Sequence, residues 1–259
     1  MFYVFKKSHR KKIDYLTSFS EEVKDRILKG IKENNIKEGR KFLSDGKAVQ
    51  NICHADTKEY EYVDLGLPSG LKWAKCNVGA EKETDYGFYF QWGDIEDRTD
   101  AECSWTTYKH CNGTETSLTK YNIMSEYETV DNKITLDPED DAAKAHMGGD
   151  WRMPTDDDFQ ELLDNTTIEW VDNYNGSGVN GMKFISKTDT TKYIFIPASG
   201  HHSGSSFYGQ GIFGDIWSSS LIATSPNLAW KLSFLSGFID EDYYYGYRCI
   251  GYVVRGVMN

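Results

Sequence analysis

The stretch LDPEDDAAKAHMGGDWRMPTDDDFQELLDN, residues 136–165, carries the two clearest helix signals in the chain. In its second half, Thr155 is placed as an N-cap and Asp158 completes a T-x-x-D capping box ahead of an apolar face that begins at Phe159. In its first half, aspartates precede an alanine-rich segment that ends at Gly148, a typical residue just beyond a helix. The stretch therefore predicts two short helices.

On both sides of these helices the sequence predicts short strands. EYVDLGLPSGLKWAKCNVGA, residues 61–80, is typical of two strands around a Pro-Ser-Gly turn, and YGFYFQWGD of an aromatic strand. Residues 97–136 have no sustained periodicity and predict an irregular insertion. After Gly178 the strand-like segments are MKFISK, YIFIPASG, DIWSSSL, AWKLSFLSG and RCIGYVVRGV. Helices in the first half with a meandering antiparallel sheet in the second predict an α+β fold.

The charge distribution separates an N-terminal arm, residues 1–50, from a main domain, residues 58–259. Residues 1–47 carry 13 Lys/Arg and 7 Asp/Glu, whereas the remainder carries 16 and 33, which together give the net charge of −11. The acidic domain repels phosphate backbones, so we expect no nucleic acid to bind it. Residues 9–18 and 20–34 predict helices whose apolar stripe (Val23, Ile27, Ile31) packs on the domain or on a copy of itself, which would give a homo-oligomer.

The N-terminus does not have the form of a signal peptide, because the five apolar residues MFYVF come before the basic KKSHRKK. No stretch approaches the roughly 18 apolar residues of a membrane span. We therefore expect a protein that is cytoplasmic as synthesised, or that leaves the cell in a phage particle, and that does not contact a membrane.

Neither the cysteines nor the histidines predict a catalytic or metal site. The five cysteines are odd in number and form no C-x-x-C, so we expect reduced thiols, with Cys103 and Cys111 pairing only in an oxidising setting. His201 and His202 would point to opposite faces of a strand, so both would rarely reach one ion. No Walker, Rossmann, G-x-S-x-G or H-E-x-x-H pattern occurs. The sequence therefore predicts a protein that is not an enzyme.

Taken in order, the segments quoted above, together with LTKYN, FIPASG, IWSSSL and the terminal GYVVRGV, resemble the Fibrobacter succinogenes major paralogous domain family of Bacteroides and their phages. The resemblance covers about residues 60–257. It departs from the frequent family ending G-x-S-V-R-P-V, since Gly256 stands at the proline position. The family is similar in fold to C-type lectins and to formylglycine-generating enzymes. Some members are variable proteins of diversity-generating retroelements, including receptor-binding proteins of phage tails.

The resemblance implies a C-type-lectin-like domain with a variable ligand-binding region at residues 201–259. Trp151, Trp217 and Trp230 would be core or near-core. The fixed frame would comprise Gly214, Trp217 to Ser220, Ala229, Leu232, Phe234, Gly251 and Arg255. The ligand-binding residues would be Ser203, Ser205, Ser206, Tyr208, Gln210, Ile212, Asp215, Asp240, Asp242, Tyr243, Tyr244, Tyr245 and Tyr247.

Two activities of similar folds can be compared with the residues present. Formylglycine-generating activity depends on a C-terminal cysteine pair, and here only Cys249 lies beyond residue 111, so that activity is not expected. Calcium-dependent sugar binding uses E-P-N and W-N-D tripeptides, which are absent. The acidic clusters at residues 137–141 and 240–242 leave calcium open as a cofactor, although helix-dipole compensation explains the first more simply. We otherwise expect no cofactor.

The residue types of the C-terminal segment themselves favour binding. His201 to Asn259 is rich in Tyr, Ser and Gly, and Tyr offers a large contact area and a hydroxyl at little entropic cost. Three consecutive tyrosines, residues 243–245, cannot all face one core. The sequence predicts a receptor-binding or adhesin-type protein whose partner is a protein or polysaccharide surface. The alternatives are a non-variable structural or interaction module and, third, an enzyme of formylglycine-generating-enzyme-like fold.

Overall fold

The computed structural model describes residues 59–236, 238–239 and 245–259. The predicted N-terminal helices at 9–18 and 20–34, and the self-association inferred from them, lie outside these residues. Residues Tyr60–Asn259 belong to one compact unit. Within the described part of the chain, no helix combines the length and the apolar character needed to cross a membrane.

Both helices predicted from residues 136–165 are confirmed. Helix α1 spans Ala142–Met147, with the Asp141 side chain accepting a hydrogen bond from the Lys144 amide and Gly148 as its C-cap. Helix α2 spans Asp156–Asn165, and Thr155 and Asp158 form the reciprocal capping box. These ends agree with the sequence because a cap depends on side chains within three residues of the amides that they satisfy.

Fourteen strands are present in the described residues, and most of them are short. Their bounds are β1 Tyr62–Asp64, β2 Lys72–Asn77, β3 Tyr89–Phe90, β4 Thr166–Val171, β5 Gly181–Ser186, β6 Tyr193–Pro197, β7 His201–Ser203, β8 Ser206–Tyr208, β9 Phe213–Leu221, β10 Leu228–Leu235, β11 Phe238–Ile239, β12 Tyr245–Tyr247, β13 Tyr252–Val253 and β14 Arg255–Met258. Short 3-10 turns lie at Ser125–Tyr127 and Tyr174–Gly176. The mixture of few helices and mainly antiparallel sheets is compatible with the predicted α+β class or with a mainly β fold.

The strands are mostly antiparallel, as predicted, but they do not form the single meandering sheet that the sequence suggested. The described strands form a six-stranded sheet in the order β11-β10-β9-β13-β3, with β12 also paired to β10, two three-stranded sheets, β1-β2-β14 and β4-β5-β6, and the hairpin β7-β8. The segment predicted as one final strand divides at Val254, so that β13 joins the large sheet and β14 joins β2. Val253 pairs in parallel with Ile216, a long-range contact that no local pattern encodes.

Two apolar cores lie on opposite faces of the β9–β10 pair. Ile216, Leu232 and Phe234 belong to the first core, with α2, β5 and β6. Trp217 and Ala229 belong to the second, with β3 and α1. Because successive side chains of a strand alternate between faces, β9 supplies both cores at once. Every residue expected to form the fixed frame is buried.

One buried arginine, Arg248, forms hydrogen bonds with the irregular insertion predicted at residues 97–136. Arg248 is fully buried and its guanidinium donates to the Tyr108 hydroxyl and to the carbonyls of Lys120, Tyr121 and Pro226. The same group lies 4.8 Å from the centroid of the Trp92 ring, a cation–π distance. Arg248 thus ties the insertion to the chain that follows β12.

Candidate ligand-binding surface

Six of the predicted ligand-binding residues lie on the β7–β8 hairpin and the loop that follows it. Ser203 pairs with Ser206 across a two-residue turn whose first residue, Gly204, has a φ of +57°. A positive φ at that position is typical of tight hairpin turns and favours glycine. Exposed side chains on the hairpin and loop are those of Ser205, Ser206, Tyr208, Gln210 and Ile212, and Ser203 is half-buried.

The hairpin presents a different aromatic pair on each face. On one face the His201 ring stacks on Tyr208, with ring centroids 5.4 Å apart. On the other face the His202 ring stacks on Phe207 at 4.4 Å, and Phe207 also contacts Tyr89 at 5.0 Å. Both histidines therefore pack against rings, and burial lowers the pKa of each below its usual value.

Asp215, also predicted to bind ligand, is buried at 3% exposure beneath this hairpin. Its carboxylate forms a buried ion pair with Lys231 and accepts a hydrogen bond from the Ser233 hydroxyl at 2.7 Å. Its second oxygen lies 3.9 Å from His201 Nδ1. Asp215 is thus removed from solvent in the described structure, and the reason is that Lys231, far away in sequence, supplies its counter-charge.

A second exposed group lies on β12, along the edge of the large sheet. Tyr245 pairs with Trp230 and Tyr247 with Leu228, while Gly246 lies between them opposite Ala229. A Cβ on Gly246 would stand only 2.5 Å from the Tyr252 ring, so this position has no room for a side chain. The tyrosines on either side point outward.

The three tryptophans expected in or near the core differ in exposure. Trp151 and Trp217 are buried, and Trp230 is half-buried beside Tyr245. The predicted residues Asp240, Asp242, Tyr243 and Tyr244 lie outside the described residues.

Large exposed apolar side chains are concentrated in the C-terminal segment. Eleven are exposed among the described residues, and six of these lie between residues 201 and 259. They are Phe207 at 39% exposure, Tyr208 at 51%, Ile212 at 64%, Phe238 at 50%, Tyr245 at 49% and Tyr247 at 49%. Phe207 and Phe238 were not predicted from the sequence, because an apolar residue in a strand pattern is ordinarily assigned to the core. The segment therefore combines a buried frame with exposed rings.

The first acidic cluster is one of the two places at which the sequence left calcium open. Asp137, Glu139 and Asp140 have carboxylate oxygens within 4.8 Å of one another, close enough to hold a metal ion. The Lys120 ammonium, however, lies 2.6 Å from Asp137, 2.6 Å from Asp140 and 3.5 Å from Glu139. Burial raises the pKa of Asp140, but hydrogen bonds from Lys109, Lys120 and Tyr121 outweigh it and lower the pKa to about 2. A lysine therefore already supplies the positive charge that a cation would bring.

Within the described residues, sequence reasoning missed a buried contact between a cysteine and a histidine. Cys103 Sγ lies 3.4 Å from His202 Nδ1, although 99 residues separate them. Burial raises the pKa of the Cys103 thiol to about 12. Because the thiolate is the reactive form, this cysteine is held in its unreactive state near neutral pH. Cys76, Cys103, Cys111 and Cys249 are all free thiols, as predicted for the cysteines in the described residues.

Comparison with known proteins identified no relative, since no family model, no curated protein and no solved structure matches the chain.

Proposed function

We propose that this chain is a non-enzymatic binding protein that contacts a receptor or ligand through the exposed side chains of its C-terminal segment. The observation that carries the proposal is the concentration of exposed rings and Ile212 on a frame whose own residues are buried. Exposed apolar side chains cost solubility, and grouped patches of them mark interaction surfaces. Tyrosines flanked by serine and glycine are typical of recognition surfaces.

A more specific form of the proposal, which names the fold and the kind of protein, follows from the resemblance to the Fibrobacter succinogenes major paralogous domain family. In that form the domain has a C-type-lectin-like fold, and the chain is a retroelement variable protein of an adhesin or phage tail. The frame residues, such as Trp217 and Phe234, would stay constant, whereas exposed positions such as Tyr208 and Tyr245 would be diversified. The separation of buried and exposed positions supports this division, because substitutions at exposed sites disturb the fold least.

A genetic comparison tests the proposal that the chain is a retroelement variable protein. Codon differences among strains should be confined to residues 201–259 and should avoid the buried frame, and a reverse-transcriptase gene with a near-repeat of the 3′ segment should lie close by. Differences spread evenly over the domain would overturn the retroelement assignment and favour a non-variable interaction module.

A binding assay tests the function itself. The full chain, fluorescently labelled, is applied to intact Bacteroides cells, and bound label is measured by flow cytometry. Replacing four exposed residues, Tyr208, Ile212, Tyr245 and Tyr247, by serine should lower the apparent affinity at least about 10-fold, since exposed aromatic anchors dominate interface energetics. The matched control replaces four exposed apolar residues elsewhere, Tyr62, Val130, Ile134 and Ile168, by serine.

Circular dichroism and thermal unfolding establish that both quadruple variants are folded. A similar loss of binding in both variants, or no binding of the unaltered chain to any strain, would contradict the proposal.

A further inference from the structure

A group of exposed carboxylates lies in residues 94–105, where the insertion begins. Glu96, Asp97, Asp100 and Glu102 are exposed. The single cation among residues 94–105 is Arg98, whose guanidinium is bound by the buried Asp94 at 2.6 Å. Arg98 also lies 3.9 Å from Glu96, but the five carboxylates of residues 94–105 outnumber this one arginine, so the segment presents a net negative charge to solvent.

Two backbone hydrogen bonds join this acidic segment to the β7–β8 hairpin. The Cys103 amide donates to the Gly204 carbonyl at 2.8 Å, and the Gly204 amide donates to the Cys103 carbonyl at 2.9 Å. Burial lowers the pKa of His202, while a hydrogen bond to the Arg98 backbone and the charge of Asp100 act in the opposite direction. The acidic segment thus meets the hairpin at Gly204, and the exposed Phe207 of that hairpin stacks on His202.

The same segment also contacts one exposed tyrosine of β12. The ring centroid of half-buried Trp105 lies 6.3 Å from that of Tyr247, in an edge-to-face arrangement. The segment that carries the carboxylates therefore contacts Tyr247 through Trp105, and through Cys103 it contacts the hairpin that carries Phe207. We define the acidic–aromatic surface as Asp97, Asp100, Glu102, Trp105, Phe207 and Tyr247.

We propose that the acidic–aromatic surface docks a cationic, Lys/Arg-bearing segment of a protein partner. This inference rests on the proposed function, whose partner class it narrows from protein or polysaccharide to a basic protein surface. Carboxylates attract such a segment over several ångströms and repel anionic polymers, and exposed rings accept ammonium and guanidinium groups on their faces. The rings supply contact area, and the carboxylates provide selectivity and a faster association rate.

The test uses fluorescence anisotropy of labelled octa-arginine with the full-length chain, at low and at high sodium chloride concentration. Octa-glutamate and dextran serve as the anionic and neutral probes. We expect octa-arginine to bind, its affinity to fall as salt rises, and neither other probe to bind. The triple variant Asp97→Asn, Asp100→Asn, Glu102→Gln should lower the affinity for octa-arginine about 10-fold, since each exposed ion pair contributes modestly to binding.

A matched control separates a specific surface from general acidity. The triple variant Glu126→Gln, Asp150→Asn, Glu169→Gln removes the same charge from exposed positions elsewhere, and its affinity should stay within about 2-fold of the unaltered chain. Phe207→Ser should lower the affinity for octa-arginine but leave the salt dependence of that affinity unchanged, because the substitution removes a ring and no charge.

Equal weakening by the two triple variants would overturn the proposal, as would tighter binding of octa-glutamate or dextran. Absence of octa-arginine binding would also overturn it. In that case, cell binding that is still lost in the Tyr208/Ile212/Tyr245/Tyr247 variant would leave the proposed function standing without this partner class. If the unaltered chain binds neither octa-arginine nor cells, the proposed function is overturned as well.

Discussion

Strands β9 and β8 are separated by only four residues, yet they use their side chains in opposite ways. In β9 every residue from Gly214 to Leu221 is buried, whereas all three residues of β8 are exposed. The reason is coverage, because β9 has an apolar core on each face and partners on both edges, while β8 pairs with β7 alone. Substitutions in β9 should therefore affect stability, and substitutions in β8 should affect what the surface contacts.

The largest effect is expected where the frame contains a buried charge. Lys231→Met leaves the Asp215 carboxylate buried beside Ser233 without its counter-charge, and should lower the free energy of unfolding by about 3–5 kcal/mol. Urea denaturation followed by tryptophan fluorescence measures this change.

The double variant Lys231→Met, Asp215→Asn removes both charges and should recover most of the loss. No recovery would show that packing of the Lys231 stem, which lies over the Tyr252 ring, is the larger contribution.

An intermediate effect is expected from pH, acting on a buried histidine of the insertion. Burial lowers the pKa of His110 to about 4, against about 6.5 in an unfolded chain. The folded protein favours the neutral imidazole, so the contribution of His110 to the free energy of unfolding is fully present above pH 6.5. It is lost as the pH falls towards 4. The loss should be on the order of 2–3 kcal/mol, measured by urea denaturation across that range.

His110→Gln provides the matched variant for the pH experiment. Its amide can still donate to the Gly93 carbonyl, which His110 Nε2 contacts at 3.0 Å, but it does not titrate. Its stability should therefore depend less on pH than that of the unaltered chain. An identical pH dependence would assign the effect to other groups, such as His201 and His202.

The smallest effect is expected on the exposed loop. Ile212→Ser removes the most exposed large apolar side chain among the described residues of the C-terminal segment and should change the free energy of unfolding by less than about 0.5 kcal/mol. A loss of more than about 1 kcal/mol in the free energy of unfolding, in the same urea assay, would mean that the loop stabilises the frame. The contrast between a stabilising β9 and a hairpin region that contributes little to stability would then be wrong.

Local signals explain what could be predicted. The ends of α1 and α2 followed from Asp141, Thr155 and Gly148 because caps and box partners are near in sequence. The Pro-Ser-Gly turn was likewise correct, with the Gly70 amide donating to the Leu67 carbonyl at 2.9 Å. Strand β4, Thr166–Val171, was missed, since its exposed residues give it no buried alternating pattern.

The candidate surface was only partly accessible to sequence reasoning. Composition pointed to the C-terminal segment, and Tyr208, Ile212, Tyr245 and Tyr247 are indeed exposed. The same reasoning placed Asp215 on that surface, because an aspartate in a strand pattern gives no indication of a buried lysine 16 residues away. It also gave no indication that Trp105 and the acidic segment come next to β8 and β12.

By itself, then, the sequence determined the helix ends, the first turn, most strand segments and the part of the chain that carries exposed rings. These features depend on residues within a few positions of one another. Only the tertiary structure decided that the final segment divides at Val254 between two sheets, that Asp215 is buried, and that Cys103 joins the hairpin at Gly204. Those outcomes depend on pairings across many residues, whose stability comes from packing that no local pattern records.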